Sequence, residues 1–185
     1  HTIFTKNGQT LHNHYHGNTL QEGDLIVLDA GARAHTGYCG DMTTTFPVSK
    51  KFSERQRDIY SLLIEMFEKA EELIKPEITY KEVHLEVCKV LAEGMKKRGL
   101  MKGNIEEAVK AGAHAIFFPH GLGHMLGLDV HDMEALGENY VGYEDFPREM
   151  QFGLKSLRLA RKLKPGYVFT VEPGIYFIPE LIKRW

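Results

Sequence analysis

Two capping boxes constrain this chain most. Ser53-Glu54-Arg55-Gln56 and Thr79-Tyr80-Lys81-Glu82 each set a hydroxyl ahead of a Gln or Glu at the spacing that satisfies orphan N–H groups at a helix start. After the first box, Ile59, Leu62, Leu63, Met66, Ala70 and Leu73 recur at helical spacing until Pro76 ends the run. After the second, Val83, Val87, Val90 and Leu91 share a face and the pattern stops near Gly99. A third, shorter helix is predicted from Asn104-Ile105-Glu106-Glu107 to about Gly112. Two consecutive amphipathic helices must cover an apolar surface, and they read as scaffold rather than site.

The sequence on either side is β-prone. Leu25-Ile26-Val27-Leu28 lies between the turn pair Gly23-Asp24 and Asp29-Ala30-Gly31, and Thr43-Thr44-Thr45-Phe46 is closed by Pro47. The expected product is a hairpin with one carboxylate on each strand, Asp29 and Asp41. Residues 117–132 are too broken by Pro119, Gly121, Gly123 and Gly127 to be helical and read as strands and tight loops. Residues 133–164 read as a polar insertion with a short helix around residues 154–163 and no chemistry. Val168-Phe169-Thr170-Val171-Glu172 is then a strand, turned by Pro173-Gly174 into Ile175-Tyr176-Phe177-Ile178. The order predicts an α+β fold with helices on one face of a sheet.

Composition removes several function classes. A net charge of -2 over 185 residues leaves no basic footprint for nucleic acid and no polybasic membrane patch. No apolar run approaches the ~20 residues a membrane helix needs. Cys39 and Cys88 are too few for a disulfide framework and suit a reducing cytoplasm or indifference to redox state. The chain opens at His1 rather than Met and stops at Trp185 in mid-phrase, so a fragment missing sequence at both ends is expected.

The remaining excess is ten histidines, the commonest metal ligand among side chains. His120, His124 and His131 fall in one glycine-rich stretch, where glycines let backbone approach a ligand closely. It is not a helical His-Glu-x-x-His motif, because no glutamate follows the first histidine. Asp29 and Asp41, each beside glycine, are turn-capping residues or a pair that needs a cation between them. Glu172, ending an apolar strand, is a surface residue or an inward ligand. His14 and His16 alternate with His12 in a strand-like pattern; they read as solvent-facing loop residues, with a metal site of their own as the alternative.

Taken together, Leu28-Asp29-Ala30-Gly31, Gly40-Asp41-Met42-Thr43-Thr44-Thr45-Phe46, the stretch from His120 to Asp132, and Thr170-Val171-Glu172-Pro173-Gly174 resemble the successive motifs of the pita-bread metallopeptidases. Within that family they most resemble aminopeptidase P (Xaa-Pro aminopeptidase) and prolidase. The resemblance runs in order over nearly the whole chain. It implies that residues 1–185 are a catalytic domain of the pita-bread fold, an antiparallel curved sheet with helices on its outer face, incomplete at both ends and without its N-terminal domain. It also implies a pair of divalent metals with Asp29 chelating one, Asp41 bridging both, and His124 with Glu172 holding the other.

Such an oxygen-rich set suits Mn²⁺, with Co²⁺ or Zn²⁺ as substitutes. A fifth ligand, a second bridging glutamate, is expected in an Arg-Ile-Glu strand that residues 1–185 do not contain. By the same resemblance His12 stands at the substrate mouth, His131 meets the scissile carbonyl or tetrahedral intermediate, and His120 and Tyr176 flank the proline-ring pocket; Glu172, or the fifth-ligand glutamate, is expected to help move the nucleophile's proton. The implied reaction is hydrolysis between an N-terminal residue and a following proline, by a protein that forms homo-oligomers. The alternatives are a dipeptide-only prolidase and a non-catalytic or metal-free protein on the same scaffold, such as a creatinase-like amidinohydrolase. Loss of metal-dependent hydrolysis in Asp41→Ala of a complete enzyme is the test of the peptidase expectation.

Overall fold

A computed structural model describes residues 2–6, 17–144 and 146–184. Three strands, β1 (Thr2–Lys6), β2 (Leu25–Ala30) and β3 (Met42–Pro47), form an antiparallel sheet in chain order. The register of β2 and β3 pairs Asp29 with Thr43 and Ala30 with Met42. It continues past the strand ends, through Gly40 N–H to Ala32 at 2.8 Å, the Arg33 and Cys39 bridge, and Ala34 N–H to Tyr38 at 2.8 Å. Asp41 therefore falls opposite Gly31, on the same face as Asp29 and diagonal to it. The expected hairpin forms, with Asp29 inside its strand and Asp41 immediately before β3.

Helices α1 (Glu54–Leu73) and α2 (Tyr80–Lys97) begin at the two boxes. Ser53 accepts from the Gln56 N–H at 3.3 Å and returns its own N–H to Gln56 Oε1 at 2.9 Å; Thr79 and Glu82 do the same at 3.1 and 2.9 Å. The apolar stripe of α1 divides. Leu62, Met66 and Ala70 are wholly buried, with Val83, Val87, Leu91 and Met95 of α2 in the same core, while Ile59 and Leu63 face an open cleft. Gly94 permits the close crossing, since a Cβ there would run into the Leu62 side chain. Helix α3 (Ile105–Lys110) is capped by Asn104 as expected. Among the described residues no helix is long and apolar enough to cross a membrane.

The two helices pack on a ribbon made from distant sequence. Residues 122–126 and 168–172 run antiparallel, joined by Leu126 N–H to Val168 (3.0 Å), Thr170 N–H to His124 (2.9 Å) and Glu172 N–H to Leu122 (2.8 Å). Phe117, Phe118 and Leu122 from one side belong to the core, with Phe169, Val171 and Ile175 packed against it. Gly123 is required here, because a side chain would strike the Thr170 carbonyl.

Two expectations are corrected. Pro173-Gly174 does not reverse the chain: Tyr176 N–H reaches the Phe117 carbonyl at 2.8 Å, so the pairing continues in the same direction after a one-residue slip. Proline, lacking an N–H, cannot hold a ladder position, and the slip carries the chain past it. The helix expected around residues 154–163 is only a 3₁₀ turn, Leu154–Ser156. The chain beyond it is extended, with Leu163 N–H bonding Ile78 at 2.8 Å and Ala160 N–H bonding Gly142 at 2.8 Å. The insertion instead holds a short helix, α4 (Glu138–Tyr143), and a last turn, α5, spans Pro179–Ile182.

Candidate metal centre

The cleft has a volume of about 1780 Å³ and is lined by sheet residues Leu25, Val27, Asp29 and Asp41 together with Ile59 and Leu63 of α1. The odd-numbered face of the hairpin points into it, as the register requires. The hairpin tip is tied to the histidine segment by Cys39 N–H to Gly127 at 2.8 Å and by an Arg33–Asp129 ion pair at 3.3 Å. That tie brings Asp41 over His124.

His124 Nε2 lies 3.3 Å from Asp41 Oδ2 and 3.2 Å from Glu172 Oε1, and donor atoms of all three residues fall within 4.8 Å of one another. Its Nδ1 donates to the Met125 carbonyl at 2.9 Å, which fixes the tautomer and aims Nε2 at the two acids. Burial opposes a charge on His124, but the Glu172 hydrogen bond, the Met125 carbonyl and the Glu172 and Asp41 charges outweigh it and raise its pKa. Glu172 shows the mirror image. Burial pushes its carboxyl up, and hydrogen bonds from His124 and Thr170 more than reverse this, leaving it lowered. A proton on Nε2 answers two converging carboxylates; a divalent cation answers them equally well and releases that proton, so the donor set fits such an ion.

Asp29 lines the same cleft but is not within the 4.8 Å group. Its charge, with that of Glu172, adds to burial in raising the Tyr176 phenol far above its ordinary value. His120 donates from Nδ1 to the Gly121 carbonyl at 2.8 Å, which makes Nε2 the acceptor of the Tyr176 hydroxyl at 3.0 Å. The two rings meet edge to face, centroids 5.3 Å apart. His131 stands edge-on to His124 with centroids 4.3 Å apart and also lines the cleft. His12, with His14 and His16, lies outside the described residues.

Two contributors went unread in the sequence. Thr170 Oγ1 accepts from the His124 backbone N–H at 3.0 Å and donates to Glu172 Oε1 at 2.7 Å, linking two of the three donors. The strand period of two, which puts Thr170 and Glu172 on one face, was the available signal. Residues 133–164 are not without chemistry: Glu134 approaches His131 Nδ1 at 3.8 Å and is ion-paired to Arg158. The spacing of three between His131 and Glu134 was the hint there.

The family model described as metallopeptidase family M24 matches residues 1–185, and the chain belongs to that family. It is 38% identical over 175 residues to the Xaa-Pro aminopeptidase of Escherichia coli K12, covering 95% of this chain and 35% of the relative. It is 37% identical over 166 residues to the mouse (Mus musculus) Xaa-Pro dipeptidase, covering 90% and 32%. Among solved structures, proline aminopeptidase P II from Yersinia pestis superposes with a TM-score of 0.80 at 38% identity, covering 97% of this chain and 37% of that one. A zinc-substituted E. coli aminopeptidase P in complex with product gives 0.78 at 38% identity, covering 98% and 38%. The fold is therefore the α+β pita-bread fold, and the chain spans about a third of the length of the curated relatives it matches. Membership in a metallopeptidase family implies divalent metal ions.

Proposed function

We propose that the protein to which this chain belongs hydrolyses the bond between an N-terminal residue and a following proline, with a divalent-metal centre on Asp29, Asp41, His124 and Glu172. The convergence of Asp41, His124 and Glu172 within 4.8 Å, on the wall of a cleft that His120 and Tyr176 also line, supports this most directly. A fifth ligand, the bridging glutamate of an Arg-Ile-Glu strand, would come from sequence other than residues 1–185. When bound, divalent cations supply a water ionised near neutral pH and polarise the carbonyl under attack.

The side chains do the rest. Glu172 accepts a hydrogen bond from the Thr170 hydroxyl on Oε1 at 2.7 Å, so Oε2 is its atom for accepting and returning a proton. His131, held against Glu134, donates to the oxyanion. His120 and Tyr176 offer aromatic walls to a proline ring, which brings an apolar face and no N–H to satisfy. His12 is assigned to substrate binding by the resemblance alone. Three carboxylates and one imidazole favour Mn²⁺, with Co²⁺ and Zn²⁺ able to substitute. A cytoplasmic homo-oligomer is part of the same proposal, supported by two unpaired cysteines and by the resemblance.

The relative named Xaa-Pro dipeptidase, 37% identical to this chain, favours prolidase as the second reading. Assays of the whole protein on an Ala-Pro dipeptide and an Ala-Pro-Ala tripeptide, with Mn²⁺, Co²⁺ or Zn²⁺ added in turn, separate the two. Cleavage of the tripeptide supports aminopeptidase P, and cleavage of the dipeptide alone supports prolidase. No hydrolysis of either with any of the three ions overturns the proposal.

A further inference from the structure

A second group of donors lies away from the cleft, inside the helical core. His84 and Cys88 are one turn apart on α2, both wholly buried, with His84 Nε2 3.5 Å from Cys88 Sγ. His114, also wholly buried, enters from the 3₁₀ turn Ala113–Ile116, its ring centroid 6.1 Å from that of His84. One donor atom from each falls within 4.8 Å of the others. His84 Nδ1 and both ring nitrogens of His114 make no hydrogen bond. The Val109 carbonyl favours a proton on the His114 ring without closing a bond to it. Phe118 walls the group, its ring 5.4 Å from that of His84. Buried polar atoms without partners are rare in folded proteins, and three in one apolar pocket call for an occupant.

We propose that His84, Cys88 and His114 form a second metal site, enclosed in the core, that takes one soft monovalent cation, Cu(I), as a thiolate–bis-imidazole complex. Binding breaks the Cys88 S–H bond, forms a sulfur–copper bond and releases the proton to solvent; no electron is transferred.

The choice of ion follows from charge, coordination number and softness. A thiolate and Cu(I) sum to zero, whereas Zn²⁺ would leave a net positive charge in an apolar interior. Structural zinc requires four ligands, and this group offers three. Thiolate ligands select Cu(I) over harder ions. Three donors around one ion at bond lengths of about 2.0–2.3 Å stand about 3.5–3.8 Å apart, a spacing the His84–Cys88 pair already has. His114 has to close by no more than about 1.3 Å. The acid-rich cleft and this sulfur-bearing pocket would therefore sort different ions.

The test uses the whole protein, reduced and free of oxygen, titrated with Cu(I) held by bicinchoninate as a competing chelator. The expected result is one tight equivalent per chain, with a thiolate-to-copper charge-transfer band in the ultraviolet and X-ray absorption showing one sulfur and two imidazole nitrogens. Cys88→Ala and His114→Gln should each weaken binding at least about a hundredfold, while Asp41→Asn and Cys39→Ala leave it unchanged. Absence of tight Cu(I), or copper lost on Cys39→Ala and kept on Cys88→Ala, overturns the site. If Cys88→Ala does not fold, the wild-type absorption spectrum decides alone, and a copper with no sulfur neighbour overturns it.

Discussion

His124 and His84 are both buried imidazoles, and burial by itself would leave both neutral. His124 meets Asp41 and Glu172 and is raised above the ordinary histidine value. His84 meets a thiol and two further imidazoles, and burial with the His114 and His120 charges pushes it down to about 3. The difference teaches that burial lowers both imidazoles and that acidic neighbours reverse it at His124 alone. An imidazole between two acids is a place for a divalent cation, and one beside a thiol in a dry pocket stays neutral.

The strongest attempt to break this contrast is Asp41→Ala in the whole protein. Hydrolysis of Xaa-Pro substrates and bound divalent metal, measured by elemental analysis, should both fall by more than about a hundredfold, since even the outer partners of metal ligands are worth about 10- to 100-fold. Unchanged metal content would remove the acidic centre.

The second attempt is an acid titration of metal-free protein by denaturant unfolding. His84, at about 3, and His114, which burial lowers to about 4, stay neutral in the folded state while the unfolded chain takes up protons below about pH 6.5. Their stabilisation is complete above that value and drains as pH falls toward their folded values, at about 1.4 kcal/mol per pH unit for each. His124 pulls the other way, since its contribution is present below about pH 6.5 and is lost as pH rises through its elevated value. His84→Gln should halve the acid slope; an unchanged slope would mean that His84 is not held neutral.

A smaller effect sharpens the acidic side alone. Thr170→Val removes the hydroxyl that accepts from the His124 N–H and donates to Glu172, and should weaken metal binding about tenfold in a competition titration. The smallest separates site from scaffold. Ser53→Ala should cost about 1 kcal/mol of unfolding free energy and leave metal content unchanged.

Legibility followed the range of the interaction. Helices α1, α2 and α3 were readable because a cap and its partner lie within one turn, as Ser53 with Gln56 does. The four proposed ligands were found through a resemblance of ordered motifs; the residues alone left Asp29, Asp41 and Glu172 each with a bland alternative. Residues 154–163 misled because their apolar positions suit a helix, while the structure uses Leu157, Leu159 and Leu163 to bury an extended segment. Pro173-Gly174 read as a reversal because that pair marks turns locally, and only pairing with Phe117 shows that the chain runs on. Glu134 offered only its spacing of three from His131, and Arg158 carried no pattern until the fold paired it with Glu134.

From the order of its residues the chain determined where helices start and stop, which segments extend, and which oxygen and nitrogen donors it owns, because those depend on neighbours a few positions away. The tertiary structure alone decided that residue 41 meets 124 and 172, and that residue 114 closes on 84 and 88. Those encounters depend on hairpin register, on the Gly94 crossing of two helices and on a ribbon joined across more than forty residues, and no local preference encodes a distance of that kind.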